Sequence, residues 1–233
     1  MNTKTLFADF TATLSSRRSF LTEDSVRYMF FSCMQKQDKI MDHYVMELPY
    51  ESLRYPNGYK AHILVPNSLH TSSSGKWRQE LDMYYDDALE TTMCIEVKFH
   101  RKGGLPSSFA HTDAAGRIIN DMRRLQLLQP NAGKTITRLF VYVADDDMHN
   151  YLNGMGKTSV YRSSLSSFYN RGGTLSVNQS YVPDRFFTQA NHSFNPKSSF
   201  AITAKKVFFK SIHNPLCPVF LHGNCHVSIY EII

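Results

Sequence analysis

Asp82, Glu96 and Lys98 are residue types that can do chemistry together. They fall in the stretch Glu80 to Arg101, ELDMYYDDALETTMCIEVKFHR, which reads as two β-strands joined by a turn. The first strand carries Asp82, and the second carries Glu96 and Lys98 as Glu-x-Lys. A carboxylate on one strand, with a carboxylate and a lysine two residues apart on the next, can hold a divalent metal beside an ammonium group. That arrangement suits phosphodiester hydrolysis. In the second strand Met93, Ile95, Val97 and Phe99 alternate with Cys94, Glu96, Lys98 and His100. Side chains alternate faces along a strand, so Glu96 and Lys98 share one face and the apolar set takes the other. About one such triplet arises by chance in a chain of this size, so its surroundings decide its meaning. Asp86 and Asp87 lie beside the turn and read as solvated turn residues. Glu80 shares the face of Asp82 by period two, as an exposed edge residue or as an acid behind the site.

The elements that must position these residues are legible on either side. Leu6, Phe7, Phe10 and Leu14 predict a short amphipathic helix over Thr3 to Leu14. Thr22 is an N-cap with acids in the first turn, and Val26, Met29, Phe30, Cys33 and Met34 form the buried stripe of the helix that follows. Glu23 stands at its start. His43 to Leu48 and Tyr59 to Val65 are strand candidates, with Asn57-Gly58 as a turn and Pro66 to Gly75 as a polar loop. After the Gly103-Gly104 loop, a helix from Thr112 or Asp113 to Leu128 buries Ala115, Ile118, Ile119, Met122 and Leu125. Thr137 to Ala144 is a β-prone run, and a helix begins beyond it, within Asp145 to Leu152. From Lys157 to Asn195 the pattern weakens into Ser, Tyr, Phe and Asn with many turn signals; Ser199 to Ser211 and Val219 to Ile233 read as strands.

The order is helix, strand, strand with Asp82, strand with Glu96-Val97-Lys98, helix, strand. In that order, over roughly Glu23 to Ala144, the chain resembles the PD-(D/E)xK nuclease superfamily, the restriction-endonuclease-like fold. Leu81 stands where the proline of the family motif would be. The resemblance implies that Asp82 and Glu96 bind Mg²⁺ with the backbone carbonyl of Val97, and that Lys98 positions or activates the attacking water and offsets charge at the phosphate. Glu23 matches the position where related nucleases place an additional acid. The expected protein is thus an α/β domain with a mixed central sheet flanked by helices (core about 20–152) and a β-rich C-terminal extension (about 153–233). Its expected activity is Mg²⁺-dependent endonucleolytic hydrolysis of DNA, duplex foremost, by a chain that forms a homodimer. The alternative is a protein that keeps the fold and binds nucleic acid or another partner without catalysis.

Other motifs have plainer explanations. Gly154-Met155-Gly156-Lys157-Thr158 and Gly133-Lys134-Thr135 lack the upstream glycine of a phosphate loop, with Tyr151 and Leu128 in its place. His213, Cys217, His222, Cys225 and His226 hold zinc-ligand types at a spacing that fits a β-hairpin with surface histidines better than a zinc module. Arg117, Arg123 and Arg124, with His100, Arg101 and Lys102, either position phosphates or form a solvated helix face.

Composition bounds the rest. The 233 residues are 42% hydrophobic and 20% charged, enough for one sizeable core and unlike a disordered chain. No apolar run reaches the ~18 residues of a membrane helix, and the N-terminus, broken by Asp9, is a poor signal peptide. Cys33, Cys94, Cys217 and Cys225 form no CxxC pair, so a reducing cytoplasm is expected. A net charge of +6 favours a polyanionic partner, against the plainer alternative of surplus surface lysines and arginines.

Overall fold

The computed structural model describes residues 1–16, 21–49, 63–64, 80–87, 89, 91–100, 111–130, 135–154, 159–194, 197–213 and 224–233. Helices α1 (Thr3–Ser16) and α2 (Glu23–Gln37) come first. Thr22 starts α2 through a capping box: its side chain accepts from the Ser25 N–H, while Ser25 Oγ accepts from the Thr22 N–H. A 3₁₀ turn, Met41–His43, leads into β1 (Tyr44–Pro49). Then follow β2 (Ile63–Leu64), β3 (Glu80–Asp86), β4 (Thr91–His100), α3 (His111–Leu127), β5 (Gln129–Pro130) and β6 (Thr135–Asp145). The remainder is α4 (Asp146–Leu152), α5 (Val160–Arg171), β7 (Gly172–Val177), α6 (Asp184–Ala190), β8 (Phe200–Ile212) and β9 (Cys225–Ile232).

Seven strands form one mixed sheet in the order β1-β3-β4-β6-β9-β8-β7, and β2 pairs with β5 apart from it. Among the described residues β4 and β6 form the parallel pair of the sheet and the other pairs are antiparallel; α3 makes the crossover between β4 and β6. The apolar alternation of β4 divides two cores. Met93, Ile95 and Val97 pack with the buried stripes of α1 and α2, while Cys94 faces the core built with α3, α4, α5 and α6. The architecture is α/β, a mixed sheet between two helical layers.

Two sequence expectations change. The stretch Lys157 to Asn195 contains α5 and α6 as well as β7, because their buried faces are built from Tyr161, Leu165, Phe168, Phe186 and Phe187 between polar residues. The C-terminal strands are not appended to a finished core: β9 pairs directly with β6 and continues the same sheet. Asn57-Gly58, the Pro66 to Gly75 loop, Gly103-Gly104 and most of the Tyr59 to Val65 strand lie outside the described residues. Among the described residues no helix is long and apolar enough to cross a membrane.

Candidate functional site

Asp82 lies where two ladders break. The β1–β3 ladder joins Met46 to Met83 and Leu48 to Leu81, leaving Glu47 opposite Asp82. The β3–β4 ladder ends at Met83 and Ile95, one step before Asp82 and Glu96. Three acids from three adjacent strands thus form a row. Leu81 packs in the α3-side core but Met83 and Tyr85 pack in the α2-side core, so the pleat of β3 changes phase at Asp82. Glu47 has φ 52°, a conformation that costs a non-glycine residue energy. The freed Val97 N–H donates to Asp82 Oδ2 at 2.7 Å.

Like charges facing one another across strands repel, and the flanking helices supply the compensation. Arg27 of α2 reaches Asp82 Oδ1 at 2.9 Å and Glu47 Oε1 at 3.3 Å, and it also pairs with Glu23 at 3.3 Å and Asp24 at 3.1 Å. On the other side Arg124 of α3 lies 2.9 Å from Glu96 Oε1 and 3.1 Å from Asp121 Oδ1. Lys98 sits between the layers, with Nζ 3.3 Å from Glu23 Oε1 and 3.8 Å from Asp121 Oδ2. Glu23 also accepts from the Phe99 N–H at 3.5 Å. Glu23, Asp82, Glu96 and Lys98 are therefore gathered at one end of the sheet. This is the end toward which the parallel strands β4 and β6 point, where open α/β sheets place their ligands.

Burial shapes the electrostatics. It pushes the Asp82 carboxyl up to about 6, against the pull of Arg27 and the Val97 N–H. Burial works to lower the Lys98 pKa, but Asp121, Glu23, Glu96 and Asp82 together raise it above the ordinary lysine value. Lys98 is therefore an ammonium ion at neutral pH, suited to offsetting phosphate charge and positioning an oxygen rather than taking a proton. Asp82 and Glu96 side chains are almost closed off, whereas Glu23 at 33% and Lys98 at 24% exposure face the opening.

Sequence reasoning missed Arg27, Glu47 and Asp121. Arg27 stands four residues after Glu23 on α2, a spacing that signals an ion pair. Asp121 and Arg124 are an i, i+3 pair on α3. The three arginines of α3 are not a basic face. Arg124 turns inward to Glu96, Arg123 is sandwiched between the Phe194 and Phe200 rings, and Arg117 reaches Gln189. Asp87 braces the turn by accepting from the Leu89 and Thr91 N–H groups, and Asp86 accepts from the Tyr84 hydroxyl. Cys225 and His226 belong to opposite faces of β9, Cys225 in the α2-side core and His226 paired with Asp146. Cys217, His222, Arg101, Lys102, Gly133-Lys134 and Met155 to Thr158 lie outside the described residues.

No protein-family model, curated protein or solved structure matches the chain.

The donor chemistry of Asp82, Glu96 and the Val97 carbonyl suits a hard, oxygen-preferring cation such as Mg²⁺. Each carboxylate is neutralised by a guanidinium, and among the described residues no three His, Cys, Asp or Glu side chains are grouped closely enough to hold one ion. Arg27 Nε is buried without an acceptor, so its pairing leaves one donor unsatisfied. The donor types fit a divalent cation by chemistry, but Arg27 and Arg124 would have to release Asp82 and Glu96 for one to bind.

Proposed function

We propose that the chain is a Mg²⁺-dependent endonuclease of the PD-(D/E)xK type, acting on DNA. What supports this is the convergence of Glu23, Asp82, Glu96 and Lys98 at one end of the sheet. The order α2, β1, β3, β4, α3, β6, with β4 parallel to β6, also agrees with the resemblance. Asp82, Glu96 and the Val97 carbonyl would hold the ion, which would supply Lewis-acid stabilisation of phosphate charge and a more acidic water. Lys98, kept charged by Asp121 and Glu23, faces the opening and binds a phosphate oxygen. Glu23 fixes the ammonium from the exposed side. A duplex cut on both strands would call for two copies of the chain.

A second reading is favoured by the two arginine–carboxylate pairs: a protein that keeps this architecture and binds nucleic acid without cutting it. Incubation with plasmid and single-stranded DNA, in Mg²⁺ or in chelator, separates the two. Cleavage is expected only with Mg²⁺ and should fall at least a hundred-fold, as an order of magnitude for losing one charge-stabilising group, in Lys98→Ala and Asp82→Ala. Cleavage that persists in both variants would sink the residue assignment, and binding without cleavage would favour the second reading.

A further inference from the structure

Phe209 on β8 is 47% exposed, an unusual setting for a phenylalanine inside a strand. A bulge between Lys206 and Phe208 sets up its surroundings. Lys206 pairs with Tyr230 and Phe209 with Ser228, so the extra residue brings Lys206 and Phe209 to one face despite their odd spacing. Lys206 Nζ lies 4.4 Å from the Phe209 ring centroid and donates to the Tyr169 carbonyl at 3.1 Å.

The ring belongs to a rigid aromatic platform. The His149 and His226 imidazoles stack with centroids 3.6 Å apart and planes 6° apart, and Phe209 lies within 15° and 9° of these planes. Both imidazoles are fixed through both nitrogens. His226 is held by Asp146 at 2.6 Å and Ser211 at 2.9 Å, and His149 by Tyr169 and Asn153, each at 2.8 Å. A surface held in place before binding loses little entropy on binding. Arg171, exposed at the end of α5, precedes Gly172, which pairs with Lys205 beside Lys206. Along the sheet, His100 pairs with Ala144, Ala144 with His226, and His226 with Ser211. The platform therefore stands at the same end of the sheet as Lys98, three strand spacings or ~14 Å across.

We propose that a single-stranded nucleic-acid segment binds here, with one base stacked on Phe209 and its phosphates against Lys206 and Arg171. Among the described residues, an exposed aromatic ring set beside cations differs from an apolar protein-docking patch. It matches the stacking-plus-cation pattern that recognises unpaired bases, which duplex DNA keeps inside its own stack. The net charge of +6 draws the same partner. For its substrate class the inference rests on the nuclease reading, but binding alone tests it.

The test is fluorescence anisotropy in chelator at low salt, with a fluorescein-labelled oligothymidylate and with the same strand annealed to its complement. Phe209→Ala should weaken single-strand binding roughly ten-fold and duplex binding much less, while Phe209→Trp retains affinity. Arg171→Glu should weaken both. Circular-dichroism melts establish that each variant is folded. A folded Phe209→Ala that binds oligothymidylate like the wild type, equal losses on single strand and duplex, or no single-strand binding by the wild type would each overturn the proposal. If the predicted losses occur but Mg²⁺ brings no cleavage, the catalytic reading fails and this one stands.

Discussion

Lys98 and His100 share a face of β4 but lie in opposite fields. Carboxylates surround Lys98 and keep it charged, whereas burial and then Lys98 itself hold His100 down at about 3. His100 is therefore neutral in the folded protein, with Nδ1 3.2 Å from the Tyr142 hydroxyl. In the unfolded chain it regains its ordinary value of 6.5. Between these values the unfolded state binds the proton and the folded state does not, so the stability from His100 is complete above 6.5 and is lost as pH falls toward 3. His100→Gln, which cannot ionise, should flatten the acid side of the stability profile. The measurement is the melting temperature of both proteins from neutral pH down to about 4, since the imidazole of the unfolded chain charges across that span; parallel curves would refute it. At this scale the sequence displayed Asp82, Glu96 and Lys98 because their types and spacing are visible without a fold, whereas Glu23 entered only through the family resemblance. Arg27 and Asp121 were hidden because which helical turn meets β4 depends on how α2 and α3 dock.

Among the elements, α3 carries the counter-charges for β4 and must hold its register against the sheet. Its far side is set by Gly116, where an added Cβ would lie 2.6 Å from Gln189 Cβ and 2.7 Å from the Phe186 carbonyl oxygen of α6. Backbone cannot yield as a side chain can. Gly116→Ala should therefore destabilise by roughly 1–2 kcal/mol, overpacking outweighing the gain in helix propensity. A thermal melt should fall by several degrees; an unchanged or higher midpoint would show that α6 shifts freely. Periodicity made α2, α3 and β4 legible, and β propensity made β6 legible, whose Leu139 to Ala144 are buried without a break. Helix α5 escaped because serines and Asn170 fill its exposed positions, α6 escaped because seven residues are too short to show a period, and the β8 bulge escaped because strict alternation assigns Lys206 and Phe209 to opposite faces.

For the whole molecule, a positive chain encloses a site richer in acids than in bases. Glu23, Asp82, Glu96 and Asp121 face Arg27, Lys98 and Arg124. The overall field draws a polyanion, while the local one, with more acids than bases, opposes phosphate; the proposed cation would reverse that local sign. The frame holding this site is closed by β9, which joins β6 to β8. Removal of 225–233 leaves every candidate catalytic residue in the chain but splits the sheet. Such a protein should lose its cooperative melting transition by circular dichroism, and a native-like transition would contradict this. The placement of β9 also sets an order of events in synthesis. Val141 must wait for Ile229, far along the chain, before its strand gains a second neighbour. Pairings of such long sequence separation are slow to form, because the loop must close before contacts reward it. A ribosome-bound chain that has already made Glu23, Asp82, Glu96 and Lys98 therefore lacks the frame that aligns them, and the site matures only after β9 has emerged.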